Sequence, residues 1–245
     1  MNTLFISDIH LEANKPHLTR LFLQFLADEA PQADALYILG DWFAAWVGDD
    51  DRTELTEQIS AALLKVAQQR VPIYFMPGNR DFLLGEKFLQ SAGCRLLKDP
   101  TIIDLYGIRT LLMHGDTLCV DDKNYQRFRK LARNSLLQKI FLLLPLSLRR
   151  LIARFLRKQS QQTQTYIAPE ISNAKQTEVA RVMKEHQVNL LIHGHTHRPS
   201  IHYFNLNGNL DGNNVCHIVL SDWDKTGNML ICQPDGLQRL VNFNK

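Results

Sequence analysis

The sequence predicts an α/β fold, and three observations carry that expectation. Several short apolar runs rich in Leu, Ile and Val end abruptly in Gly, Asp, Asn or His; segments with helical apolar spacing lie between them; and from Ile201 onward the pattern changes to short alternating runs broken by turn residues. Apolar runs of this length without polar alternation are strands buried on both faces, the usual state of a mostly parallel sheet covered by helices.

Taken in order, Leu4-Phe5-Ile6 is the first strand. No basic n-region precedes it, so no signal peptide is expected. Leu18 to Ala30 has helical spacing, Leu36-Tyr37-Ile38-Leu39 is a strand, and Glu54 to Gln69 is a helix with Thr53 placed as its N-cap. Ile73-Tyr74-Phe75-Met76 follows as a strand, then a helix from Phe82 to Ala92 closed by Gly93, then the strand Thr110-Leu111-Leu112-Met113. A helix from Asn173 to His186 and the strand Leu190-Leu191-Ile192 complete this part. The Gly, Asn and Asp turns at Asn207-Gly208-Asn209, Asp211-Gly212 and Pro234-Asp235-Gly236 predict a closing antiparallel meander.

With 245 residues and 45% hydrophobic content, the chain can bury one full core. Its four cysteines lack the spacing of a disulfide framework or a thiolate zinc site, which fits a reducing compartment. The longest apolar stretch, Ile140 to Leu144 continuing past Pro145 to Leu148, is too short to span a bilayer. The net charge of +3 conceals an asymmetry: Lys123 to Ala168 holds eleven Lys and Arg and no acid, leaving 17 of the 28 basic residues to face all 25 acidic ones. That stretch is therefore +11 and the remainder −8. It reads as an insertion, residues 121–169, in a core made of residues 1–120 and 170–245.

Within the insertion, Leu148, Leu151, Ile152, Phe155 and Leu156 share one arc of a helix from Leu146 to Lys158, while Arg149, Arg150, Arg154, Arg157 and Lys158 occupy the other, at ~100° per residue. Pro145 is well placed to start it. One reading packs the apolar arc onto the core with the charges in water. The other sets a basic amphipathic helix on an anionic membrane surface, apolar side toward acyl chains and cations toward lipid phosphates. The adjacent Phe141-Leu142-Leu143-Leu144 suits a lipid better than a phosphate backbone, so nucleic acid is not expected as a partner.

The polar residues at the strand ends are Asp8-Ile9-His10, Gly40-Asp41, Gly78-Asn79-Arg80-Asp81, His114-Gly115-Asp116 and Gly194-His195-Thr196-His197. Sites in α/β sheets form at the carboxyl ends of strands, where loops distant in sequence meet. Two carboxylates, one carboxamide and four imidazoles suit Mn²⁺, Fe²⁺, Co²⁺ or Zn²⁺. Seven donors exceed the needs of one ion; two ions ~3.5–4 Å apart use them all and stabilise attacking and leaving oxygens at phosphorus. A lone D-x-H or H-x-H is weak, because an isolated histidine is more often structural, but five motifs at five strand ends are not explained that way. His193 is expected to be structural, Asp81 and Asp116 to orient ligands, Asp49-Asp50-Asp51 to form a solvated helix-entry turn, and His17, His186, His202 and His217 to lie on the surface or in the core.

This ordered set resembles the calcineurin-like metallophosphoesterases, whose D-x-H, G-D, G-N-x-[DE], H-G and G-H-x-H motifs match across most of the chain. The resemblance implies a four-layer α/β/β/α sandwich in which Asp8, His10 and His197 hold one metal, Asn79, His114 and His195 the other, and Asp41 bridges. Arg80 departs from the histidine that many members place there. Arginine stays cationic and cannot act as a general acid at neutral pH, so Arg80 is expected to clamp phosphate, which favours a diphosphate substrate whose leaving group is already a stable anion.

The stretches 35–41, 78–85, 113–119 and 192–199 further resemble the UDP-2,3-diacylglucosamine pyrophosphohydrolase subfamily of bacterial lipid A synthesis. That likeness implies a helical lid over two acyl chains, two Mn²⁺ ions, and action on a lipid-linked nucleotide at the cytoplasmic face of the inner membrane without an obligate protein partner. It implies Asn79, Arg80, His114 and His195 as the catalytic groups, with Asn79, Arg80, Asp122, Ser160, Gln164 and His195 touching substrate; Gln164 and Ile167 replace the subfamily's usual asparagine and lysine. Two alternatives remain: a soluble nucleotide or cyclic-nucleotide phosphodiesterase in which the insertion is only a cap, and a non-enzymatic membrane-binding scaffold.

Overall fold

The polar-ended apolar runs are all strands in the computed structural model, which describes residues 2–166, 173–206 and 214–244, without the side chains of 160–166. In chain order the elements are β1 (Thr3–Ile6), α1 (Pro16–Asp28), β2 (Ala35–Leu39), α2 (Glu54–Gln68), β3 (Ile73–Met76), α3 (Glu86–Ser91), β4 (Cys94–Leu96), β5 (Thr101–Leu105), β6 (Ile108–Leu112), α4 (Lys123–Ala132), α5 (Ser135–Leu143), α6 (Leu146–Tyr166), α7 (Gln176–His186), β7 (Leu190–His193), β8 (Ser200–Asn205), β9 (Asn214–Val219), β10 (Gly227–Cys232) and β11 (Gln238–Phe243).

They form two sheets, ordered β11-β10-β1-β2-β3-β4 and β5-β6-β7-β9-β8. Strands β1 to β4 run parallel, as do β6, β7 and β9. Because side chains alternate along a strand, Leu4 and Ile6 of β1 enter the core under α1, α2 and α3, while Phe5 points the other way and meets Leu39, Met76, Leu112, Leu190 and Ile218 between the sheets. The outer face of the second sheet is covered by Val179, Val182 and Met183 of α7. The layers are thus α/β/β/α, as expected, and the carboxyl ends of β1, β2, β3, β6 and β7 open on one edge of the sandwich.

The structure departs from the sequence pattern in two places. The closing strands are not one meander: β8 pairs antiparallel with β9, which lies parallel to β7, while β10 and β11 pair antiparallel in the other sheet. Alternation identifies a strand but not its neighbour. Helix α3 starts at Glu86 rather than Phe82, because the Asp49 carboxylate accepts the backbone N–H of Gly85 and of Phe88 at 2.9 and 3.1 Å and caps the helix from a distant loop. The local cap at Thr53 is present, with reciprocal bonds between Thr53 and Thr56.

The basic stretch forms α4, α5 and α6, and α6 sits the other way round from a packed amphipathic helix. Three cations of its polar arc turn to the core, while Arg154 and Lys158 are exposed. Arg149 is only 3% exposed and donates to Val47 O, Leu144 O and the Asp50 carboxylate; Arg150 pairs with Asp51 and Arg157 with Glu12. The Asp49-Asp50-Asp51 run is a turn before α2 with Asp50 exposed, as expected, but it also anchors α3 and α6. The apolar arc lies outward, with Leu151 62% and Phe155 66% exposed, and Leu136, Ile140 and Leu143 of α5 are exposed as well. Among the described residues, no helix is long and apolar enough to cross a membrane. Replacing Arg149 with Met removes charged hydrogen bonds to two carbonyls and is expected to cost about 2 kcal/mol, or roughly 4–8 °C in melting midpoint; an unchanged calorimetric melt would show the anchor dispensable.

Candidate metal centre

The loops that follow β1, β2, β3, β6 and β7 bring together all seven donors read from the motifs. Their backbones are tied to one another: Asp8 N–H donates to Gly40 O, His10 N–H to Asp41 O, and Gly194 N–H to His114 O, each within 3.0 Å. Five of the seven donors, Asp8, His10, Asp41, His195 and His197, have φ between 53° and 68°. This left-handed conformation costs a non-glycine residue roughly 1–2 kcal/mol, and its recurrence at the donors marks a geometry maintained for chemistry. Gly78 and Gly194 are required by close approach: a Cβ on Gly78 would strike Asp41 Oδ1, and one on Gly194 would strike Asp8 Oδ2.

Two overlapping groups of donor atoms result, Asp8 with His10 and His197, and Asp8 with Asp41 and His114. Asp8 Oδ2 is occupied, accepting from Ser7 Oγ at 2.6 Å and from His195 N at 2.8 Å, which leaves Oδ1 pointing into the site. Asp8 Oδ1 and His10 Nδ1 are buried, and neither has a hydrogen-bond partner among the described residues. The Oδ1 of Asn79 completes the set, 2.9 Å from His114 Nε2 and 3.0 Å from His195 Nδ1. His114 Nδ1 donates to Leu39 O at 2.9 Å, so a neutral His114 presents Nε2 as the free acceptor. Orphaned buried donors, oxygen and imidazole together, fit a divalent cation.

The electrostatics agree. Burial pushes the Asp41 carboxyl up, reinforced by the charge of Asp8 and opposed by His114 and Arg80. Asp8, fully buried too, is nevertheless held below the usual carboxylate range, because His197, His114 and His10 outweigh its desolvation. Burial and Arg80 bring His10 down to about 2, and burial and His114 bring His195 down to about 4. Burial opposes charge on His114 and His197 as well, but Asp41, Asp116 and Asp8 raise the first to about 9, and Asp222 and Asp8 raise the second to about 10. Divalent charge between Asp8 and Asp41 would replace these protons.

Supporting groups lie behind the donors. Asp81 accepts from Gly78 N and Trp42 N and so joins the loops after β2 and β3; burial and Asp41 raise it to about 7. Asp116, under the His114 turn, accepts from Tyr125 Oη and from Arg129 Nε. His193 Nδ1 donates to Gly194 O and its Nε2 lies 2.7 Å from that of His217, so both are structural. Sequence reasoning missed Asp222, whose carboxylate lies 3.3 Å from His197 Nδ1. Its one signal was another acid just past an apolar run, Leu220-Ser221-Asp222, with no motif around it.

Arg80 lines the rim, 26% exposed, with Nε 3.3 Å from Asp41 Oδ2 and its backbone N–H bonded to Asp41 Oδ1. Asp122 caps α4 by accepting Tyr125 N–H at 2.9 Å. The side chains of Ser160 and Gln164, and all of Ile167, lie outside the described residues.

A buried carboxylate and imidazole cluster on five strand ends of an α/β/β/α sandwich defines a metallophosphoesterase, and the chain belongs to the calcineurin-like phosphoesterase family, whose model matches residues 1–199. That family works with divalent metal ions. Within it the chain belongs with the UDP-2,3-diacylglucosamine hydrolases. The enzyme of that name from Aeromonas hydrophila is 48% identical over 240 residues, covering 98% of each chain, and that from Pseudomonas aeruginosa is 49% identical over 227 residues, 93% of each. Among solved structures, vacuolar protein sorting 29 from Cryptosporidium parvum shares the fold, with a TM-score of 0.50 and 11% identity over 100% of this chain and 98% of that one.

Since His114 and His197 carry protons at neutral pH and ligation requires them neutral, divalent-ion affinity is expected to rise with pH toward 9–10. Loading at pH 7 should release about two protons per chain, read by calorimetry in buffers of different ionisation enthalpy; release near zero would show that both histidines are already neutral in the ion-free chain.

Proposed function

We infer that the chain hydrolyses the pyrophosphate bond of UDP-2,3-diacylglucosamine to UMP and 2,3-diacylglucosamine 1-phosphate, a reaction of lipid A synthesis. The convergence of Asp8, His10, Asp41, Asn79, His114, His195 and His197 on one open edge carries this reading, with relatives of that name matching nearly the whole chain. Asp8, His10 and His197 would hold one Mn²⁺, Asn79, His114 and His195 would hold a second, and Asp41 would serve both. When bound, such ions supply Lewis-acid stabilisation at phosphorus and a lowered pKa for water.

The protein's own groups orient the diphosphate. Arg80 at the rim holds negative charge on the phosphoryl oxygens as it develops and cannot donate its proton. The leaving group is a phosphate monoester, so none is needed. Asn79, His114 and His195 would orient the phosphoryl group through the ion they would hold, and by the subfamily likeness Asp122 and Ser160 would meet the glucosamine head group.

Helices α4 to α6 act as a lid, residues 121–169, and the outward apolar ridge is its lipid face. Burying each large side chain contributes about 1.5–3 kcal/mol, and a ridge of this size on a water-facing surface marks an interaction site. With Arg149, Arg150 and Arg157 paired to the core, Arg154 and Lys158, exposed and without an ion pair among the described residues, meet lipid phosphates. The enzyme works at the cytoplasmic face of the inner membrane as a peripheral protein.

Purified protein incubated with UDP-2,3-diacylglucosamine in detergent and ¹⁸O-labelled water should yield labelled UMP and diacylglucosamine phosphate with Mn²⁺ and neither with chelator, read by mass spectrometry. Cleavage of soluble nucleotides alone would favour the phosphodiesterase alternative. Asp41→Ala should lower turnover at least about a thousandfold on the scale of a lost charge-stabilising group, and substantial residual activity would remove the bridging assignment. Leu151→Asp with Phe155→Asp should abolish sedimentation with anionic phosphatidylglycerol vesicles while leaving Mn²⁺ binding intact; undiminished sedimentation would contradict the lipid face.

A further inference from the structure

Helix α4 turns Tyr125, Arg129 and, at its C-cap, Arg133 toward the loops of the metal centre. Residues four apart share a helix face, and these three engage two different donor loops. Tyr125 and Arg129 both donate to Asp116, beneath the His114 turn. Arg133 Nη2 donates to Pro77 O at 3.1 Å and to Gly78 O at 2.8 Å. The Gly78 carbonyl belongs to the peptide group that leads directly into Asn79.

That short segment is gripped from two sides. On the core side, Asp81 Oδ1 accepts the Gly78 N–H at 2.8 Å, and the missing Cβ of Gly78 admits Asp41. On the outer side, Arg133 is the group that fixes the two carbonyls. Its guanidinium carbon also lies 5.3 Å from the centre of the Phe82 ring, so one edge and one face of the fork are already engaged by the protein. The turn carrying it is fixed in its own right: Asn134, the next residue, caps α5 by accepting the N–H of Leu136 and Leu137.

Building on the two-metal reading, we propose that Arg133 is a positioning residue for the metal centre, setting the peptide planes that aim Asn79 Oδ1 at its metal and Arg80 at phosphate. The basic insertion is then part of the scaffold of the chemistry and not only a cover for substrate. Arginine suits the task because its planar fork grips two carbonyls from one nitrogen while stacking on a ring, which an ammonium does not reproduce.

The test compares Arg133→Met and Arg133→Lys with the unsubstituted full chain in three measurements: Mn²⁺ titration by calorimetry, turnover of bis(p-nitrophenyl) phosphate, and turnover of UDP-2,3-diacylglucosamine. Arg133→Met should bind one of the two Mn²⁺ ions about tenfold more weakly, the scale on which an outer-shell partner acts. It should lose about the same factor in kcat on both substrates, with KM for the diacylated substrate changed less than about twofold; Arg133→Lys should fall between. Unaltered Mn²⁺ affinity and unaltered turnover of the small diester would overturn the proposal, and a rise confined to the lipid KM would make Arg133 a substrate contact instead. If Arg133→Met gives no cooperative melt, Arg133→Lys carries the same readings, and unsubstituted-level values in it overturn the proposal. Should the unsubstituted chain fail to cleave the lipid substrate, the functional reading falls, while the Mn²⁺ titration still decides the role of Arg133.

Discussion

Two buried carboxylates, Asp8 and Asp41, lie in the middle of the open edge, and the arrangement around them follows from the need to neutralise them. Burying one carboxylate without compensation is costly, and burying two side by side more so. The ion-free chain answers with protons on His114 and His197, with Arg80 against Asp41, and with backbone N–H donors from His195 and Arg80. Every one of these groups stands on a loop that another loop must hold. The left-handed backbone at five donors and the close approach at Gly78 and Gly194 are consequences of fitting seven donors around two acids.

A second electrostatic theme governs the insertion. Four of its eleven cations pair with acids on the core loops: Asp50, Asp51 and Glu12 hold α6, while Asp116 and Asp99 hold α4. Charge attraction thus does the docking that apolar contact does in most helices, and the leucines and phenylalanine that would ordinarily pack inward are free to face outward. An outward apolar ridge on a cationic mount is a surface suited to lipid, and the same ion pairs place α4 where it can grip the loops of the metal centre. The two themes meet at Asp116, which supports the His114 turn and receives Tyr125 and Arg129.

Most of the candidate site was legible because its signal is local. Each donor sits within four residues of a buried strand end, and a β-strand's carboxyl end is a fixed place in an α/β sheet. Asp222 was not legible, since its link to His197 is a contact across 25 positions without a motif. The anchoring contacts of the acid run at 49–51 were not legible for the same reason: Asp49 caps a helix that begins at Glu86, and Asp50 and Asp51 meet arginines 99 residues away. The closing strands were legible as strands only, because alternation reports burial of one face and is silent about which neighbour supplies the hydrogen bonds.

By itself the sequence determined the α/β class, the chemistry of the donor set and the foreign charge of one segment, since residue type and short-range spacing encode these. The tertiary structure alone decided that the donors share two buried carboxylates and that β9 and β10 belong to different sheets. It also decided that α6 turns Arg149, Arg150 and Arg157 to the core and that Arg133 reaches the peptide before Asn79. The reason is physical: a helix with one apolar and one cationic face has two self-consistent ways to dock, and the choice lies in the acids of the partner surface, which periodicity within the helix cannot report.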